Sequence, residues 1–211
     1  MWWSDDKIRW YFEASQESSF HQELTNLLIP YVQKEDEIVE LGCGLGYITN
    51  KLNHLGYSAI GYDINQKAID FASSQFGPYY KVLDCLETVP LSDVCLAIFF
   101  GHFRELDFLN KVLESTKRLI IVSNLHNQFK TKNHIELTNL FTKLGLNFEQ
   151  FKGEIPFHQP FSSYSDALSF IEAYYPNDKV KVANNLKMSS DGYLLENNKN
   201  FIITIIEGRK K

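Results

Sequence analysis

The sequence predicts a doubly wound α/β fold, and three observations carry that expectation. Apolar runs of strand length alternate with amphipathic helical stretches from residue 37 to residue 144. The first run, Ile38-Val39-Glu40-Leu41, enters Gly42-Cys43-Gly44-Leu45-Gly46 and leaves through the helical pattern Tyr47 to Leu55, the order of strand, tight turn and helix N-terminus. The run from Asp93 to Phe100 is continuous and apolar, as a strand covered on both faces requires. With 211 residues, 44% of them hydrophobic and 22% charged, the chain suits one globular domain over 1–211. Within it, 1–35 reads as an N-terminal helical cap and 36–211 as a Rossmann-like core.

Taken in order, Ile8, Tyr11 and Phe12 share helical spacing, and Phe20, Leu24, Leu27, Leu28 and Tyr31 form the stripe of a second helix. Ser18 or Ser19 is placed to cap that helix, and Pro30 ends it. The aromatic cluster Trp2, Trp3, Trp10, Tyr11 and Phe12 has two readings, core packing of a terminal helix or a cap that also lines a substrate pocket. Strands follow at 37–41, 57–62 and 79–83, with a helix closed by Gly56 between the first pair and one broken by Gly77-Pro78 between the second. After the strand at 93–100 come a helix marked by Leu109, Val112 and Leu113 and a strand at 119–122. A helix with Leu137, Leu140, Phe141 and Leu144 inward, a strand at 147–155 and a loop at 156–161 come next. Ser165 or Asp166 is expected to cap a helix with Leu168, Ile171 and Tyr175 inward, before a final strand at 200–207.

The glycine turn points to a nucleotide-like ligand, because glycine accepts positive φ and a helix N-terminus offers free N–H groups. The dinucleotide fingerprint ends in a small residue where this chain has Tyr47, and Glu40 before the turn would repel a pyrophosphate. A ligand with a cationic amino acid end and no phosphates, S-adenosylmethionine, suits an acid in that place. Glu40-Leu41-Gly42-Cys43-Gly44-Leu45-Gly46 resembles the first motif of the class I S-adenosylmethionine-dependent methyltransferases. The resemblance implies a seven-stranded sheet whose last strand is antiparallel. It covers residues 36–123 by motif and 124–208 by architecture.

Asp63, 21 residues after Gly42 and at a strand end, is placed to accept hydrogen bonds from ribose hydroxyls; capping the next helix is its other reading. Ile64 would cover one adenine face. In the family that the chain resembles, the position of Asp84 accepts a hydrogen bond from the adenine amine, and the backbone N–H of the next residue, Cys85, meets the ring. Gly101 and His102, at the carboxyl end of the fourth strand, should face the transferable methyl. His102 is the candidate base, with a pocket-shaping loop residue as its other reading; Tyr11, His21 and His126 are pocket candidates and His158 a lesser one. Methyl transfer from a sulfonium needs positioning and desolvation above all.

The remaining signals narrow the class. A net charge of −5 argues against a nucleic-acid partner, and no Asn/Asp-Pro-Pro-aromatic motif follows the fourth strand. Cys43, Cys85 and Cys95 form no C-x-x-C, so disulfides and structural zinc are not expected, and no acidic cluster suggests a catalytic metal. The chain shows neither a signal peptide nor a span for a membrane, which predicts a cytoplasmic protein. Phe103, Phe157, Phe161 and the cap aromatics suggest a small-molecule acceptor; a protein acceptor, a non-catalytic cofactor binder and a nicotinamide enzyme are the alternatives.

Overall fold

The computed structural model describes residues 2–125 and 132–209. Two helices open the chain, α1 (Asp5–Gln16) and α2 (Phe20–Leu28). An alternating series follows: β1 (Glu37–Leu41), α3 (Tyr47–His54), β2 (Ser58–Asp63), α4 (Gln66–Phe76), β3 (Tyr80–Val82), β4 (Val94–Ile98), α5 (Leu106–Ser115), β5 (Arg118–Asn124), α6 (Lys132–Lys143) and β6 (Phe148–Pro156). The chain then makes β7 (Gln159–Phe161), α7 (Tyr164–Tyr174), α8 (Lys179–Ala183), β8 (Leu186–Ser189) and β9 (Gly192–Leu195), and closes with β10 (Asn198–Glu207).

Seven strands form one sheet in the order β3-β2-β1-β4-β5-β10-β6. Six are parallel, and β10 runs antiparallel to both neighbours, β5 and β6. Period-two alternation sends successive residues to opposite faces. Ile38, Leu96 and Ile120 therefore join Phe20, Leu24 and Leu52 in one core, while Val39, Cys95, Leu119 and Ile121 join Leu109 and Val112 in the other. Strand order reverses between β1 and β4. That is where doubly wound sheets open a crevice beyond the carboxyl ends of their strands.

The segment between β6 and β10 is more structured than the sequence pattern suggests. Residues 159–161, expected as loop, pair with β9 in a three-stranded sheet ordered β7-β9-β8. Trp10 of α1 is buried with Phe161, Phe170, Ile171 and Leu195 of this segment. Helix α7 is capped by Ser163, whose Oγ accepts from Asp166 N at 3.2 Å, rather than by Ser165 or Asp166. The Asp166 carboxylate is engaged elsewhere: it accepts from Arg9 Nη2 at 2.6 Å, Arg9 Nη1 at 3.1 Å and Trp10 Nε1 at 2.9 Å. Gln159 Nε2 donates to the Trp10 carbonyl at 2.9 Å, so α1 and the inserted segment form one layer.

Candidate active site

The turn after β1 has the backbone that its glycines predict. Gly42, Gly44 and Gly46 all have positive φ, between 53° and 78°. The Cys43 N–H donates to the Tyr62 carbonyl and the Gly46 N–H to the Cys43 carbonyl, each at 2.9 Å, which pins the turn to β2. A Cβ at Gly42 would lie 2.4 Å from a Phe100 ring carbon, and one at Gly44 would lie 2.8 Å from a Trp3 ring carbon. The aromatic rings of Phe100 and Trp3 thus lie against the turn.

Glu40 points to the α3 face of the sheet. It is 3% exposed, and its Oε2 accepts from Thr49 N at 3.0 Å and from Thr49 Oγ1 at 2.5 Å. Burial pushes its pKa up to about 7; the Thr49 bonds oppose the rise and the nearby Asp63 adds to it. A carboxyl group poised near neutrality beside a helix N-terminus responds strongly to a cation.

Asp63 ends β2 and ties three pieces together. Its Oδ2 accepts from Gly44 N at 2.9 Å and its Oδ1 from Asn65 N at 2.8 Å. The cap of α4 is Asn65, whose Oδ1 accepts from Ala68 N, so Asp63 is not the capping residue. Ile64, between them, leaves 66% of its surface exposed. Asp84 closes a turn after β3, its Oδ1 accepting from Leu86 N at 2.9 Å. Cys85 beside it is buried, and burial raises its thiol to about 11, so the group stays protonated and inert near neutrality.

The end of β4 is strained. Phe99 has φ of 55°, a left-handed conformation that costs a bulky residue about 1–2 kcal/mol. It turns the chain so that Gly101 and His102 stand exposed at the carboxyl edge. His102 Nδ1 lies 3.2 Å from Glu105 Oε1, and its ring centroid 5.1 Å from that of Phe100. Phe103 points away from this edge into the core with Phe108.

The cap brings Tyr11 and His21 together. Tyr11 Oη and His21 Nε2 share a hydrogen bond of 2.9 Å, and the His21 ring stacks on Tyr47 at 4.3 Å. Burial lowers the His21 pKa to about 3, so the imidazole is neutral. Tyr11 also meets Trp3 at 5.6 Å and Phe157 at 5.3 Å between ring centroids, which links the glycine turn to the inserted segment. Phe161 belongs to the separate cluster around Trp10, and His158 Nδ1 accepts from Asn197 N in the turn before β10. His126 lies outside the described residues.

Sequence patterning passes over Thr49, Asn65, Phe100 and Lys199, and it names Trp3 only as one of the cap aromatics. For Thr49 a signal exists: a hydroxyl in the first turn of a helix, nine residues after a strand carboxylate, is within reach of it. That Trp3 and Phe100 meet the glycine turn has no local signal, because only the folded chain brings them there.

Residues 39–121 match the family model described as a methyltransferase domain. That match runs from β1 to β5 and contains the glycine turn. The fold of this chain is shared by YcgJ from Bacillus subtilis, with a TM-score of 0.60, 16% identity, and coverage of 90% of this chain and 100% of that one. It is also that of magnesium protoporphyrin IX methyltransferase (ChlM) from Synechocystis PCC 6803 with bound S-adenosylmethionine, with a TM-score of 0.56, 11% identity, and coverage of 90% and 79%. A TehB-like methyltransferase from Corynebacterium glutamicum gives a TM-score of 0.56, 15% identity, and coverage of 96% of each chain. At such identities the likeness is one of fold. Comparison with curated proteins finds none that matches.

The residues present suit the cofactor of the methyltransferase family. The turn is built for close approach, carboxylates stand at the ends of β2 and β3, and an exposed isoleucine adjoins them. The buried Asn65 Nδ2, next to Asp63, has no hydrogen-bond partner among the described residues. Also among the described residues, no group of three or more His, Cys, Asp or Glu is placed to hold a metal ion, and no helix is long and apolar enough to cross a membrane.

Proposed function

We propose that the enzyme transfers the methyl group of S-adenosylmethionine to a small molecule admitted between the N-terminal cap and the carboxyl edge of the sheet. The observation that carries this reading is the Asp63 bridge, which joins the end of β2 to the glycine turn within one carboxylate. Gly42, Cys43, Gly44 and Gly46 form the side-chain-poor turn against which the cofactor's amino acid end packs, with Glu40 supplying negative charge. Asp63 takes the ribose, Ile64 one face of the adenine, and Asp84 with the Cys85 backbone its edge. When bound, the cofactor supplies the activated methyl; the chain's own work is orientation and exclusion of water.

Gly101 gives close access at the end of β4, since nothing lies within 4 Å of the Cβ it lacks. His102, oriented by Glu105, is the group that accepts a proton if the acceptor's nucleophile carries one. Tyr11 and His21 form the acceptor-side wall, because their hydrogen bond joins α1 to α2 directly opposite Tyr47. A small acceptor suits the buried aromatic cap and the net charge of −5.

Calorimetric titration with S-adenosylhomocysteine, with NAD as control, tests the cofactor site. Saturable binding of the first alone supports it. Binding of NAD alone, or of neither by folded protein, overturns it. With a labelled methyl donor and a reactive acceptor, His102→Gln is expected to lower kcat about 100-fold with cofactor affinity kept. A change below tenfold removes His102 as the base.

A further inference from the structure

Strand β10 begins at the same edge where β5 ends, with Phe201 opposite Asn124. Its inward row, Phe201, Ile203 and Ile205, is buried in the core that holds Phe20 and Phe157. Period two continues that row back to Lys199. A lysine therefore stands where the pattern calls for an apolar side chain, at the ligand edge of the sheet and beneath the cap.

Lys199 Nζ lies 5.5 Å from the centroid of the Phe157 ring. Among the described residues it has no hydrogen-bond or carboxylate partner. Burial holds its pKa below the usual lysine range. It lines a cavity of about 90 Å³ together with Tyr11, Phe157, Tyr174 and Asn197. A desolvated ammonium without a counter-charge is unfavourable, and an anionic guest removes that cost.

We infer that this cavity takes the carboxylate of a small aromatic acid, with Lys199 as its counter-ion and Tyr11 and Phe157 against its ring. A single cation matches a single negative charge, whereas a phosphate dianion would keep one charge uncompensated. The Asn197 amide offers the carboxylate a neutral hydrogen-bond donor. A cavity of this volume holds the charged end of a small acid with its ring reaching toward the opening, not a macrocycle or a polynucleotide. The proposal rests on the reading that the acceptor enters beneath the cap, and it names Lys199 as the residue that selects acids.

The test is calorimetry on the full chain with benzoate and its neutral isostere benzamide, with and without saturating S-adenosylhomocysteine. Benzoate is expected to bind at least tenfold more tightly than benzamide. Lys199→Met should abolish that preference with S-adenosylhomocysteine affinity within twofold of native, and Lys199→Arg should restore most of it. Equal binding of the two probes by the native chain, no binding of benzoate at millimolar concentration, or a preference that survives in Lys199→Met overturns the assignment. The native comparison decides even if a variant fails to fold. Lysine-dependent benzoate binding by a protein that ignores S-adenosylhomocysteine would leave this cavity standing and remove the cofactor reading instead.

Discussion

Two carboxylates carry the residue-scale argument. Asp63→Ala removes an acceptor already used by Gly44 N and Asn65 N, so it should both loosen the turn and weaken S-adenosylhomocysteine by about 1.5–3 kcal/mol. Titration checks this, and unchanged affinity removes the ribose assignment. Glu40 adds a pH dependence. Its folded pKa is raised to about 7, so below neutrality it is largely protonated and above it ionised. A cationic amino acid end favours the ionised form, so cofactor affinity should rise as pH increases through about 7, and Glu40→Gln should flatten the rise. A native profile without slope between pH 6 and pH 8 would contradict it. Both acids can be picked out in the sequence because their position relative to the glycines marks them as neighbours of the turn. Lys199 is not: a lysine near the end of a chain reads as solvated, and only the pairing of β10 with β6, Lys199 opposite Ile155, shows that it faces inward.

At the scale of elements, the tie between α1 and α7 decides whether the cap stays seated. Asp166 receives Arg9 and Trp10, and the Arg9 guanidinium holds its carboxyl below the usual carboxylate range. Because Arg9 is 40% exposed, Asp166→Asn is expected to cost only about 1–2 kcal/mol, or roughly 2–8 °C in melting temperature. A carboxylate with a depressed folded pKa contributes stability above its unfolded value, about 3.9, and that contribution fades as pH falls below it. The difference between native and Asp166→Asn melting curves should therefore hold above about pH 4 and shrink as pH falls below it; a constant difference would mean that the charge is not the source. The long helices and the core strands were legible because each presents several turns or pleats of pattern. Strands β7, β8 and β9 have three or four residues each, and β8 is largely exposed, so they carry too little periodicity to read.

For the whole molecule, alternation of strand and helix was enough to read a doubly wound sheet, and its antiparallel last strand followed from the family motif. The joint between cap and core was not, since it depends on rings from four places in the chain: Tyr11, His21, Tyr47 and Phe157. His21 at that joint is buried and neutral, with a folded pKa near 3 against about 6.5 unfolded. Between those values the unfolded chain binds the extra proton, so stability present above pH 6.5 is lost as pH falls, by up to about 1.4 kcal/mol per unit. Chemical denaturation at pH 7 and pH 5.5 measures it. His21→Gln should show a shallower pH dependence than the native protein, and an equal slope would assign the effect to other groups. The same architecture has a consequence during synthesis. Trp10 leaves the ribosome early, but Asp166 and Phe170 follow more than 150 residues later. At translation rates of 5–20 residues per second, α1 waits roughly 8–30 s for its partners. Throughout that interval the Tyr11 face of α1 can dock on His21 and Tyr47, but its Trp10 face stays bare until Phe161, Phe170 and Leu195 are made to cover it.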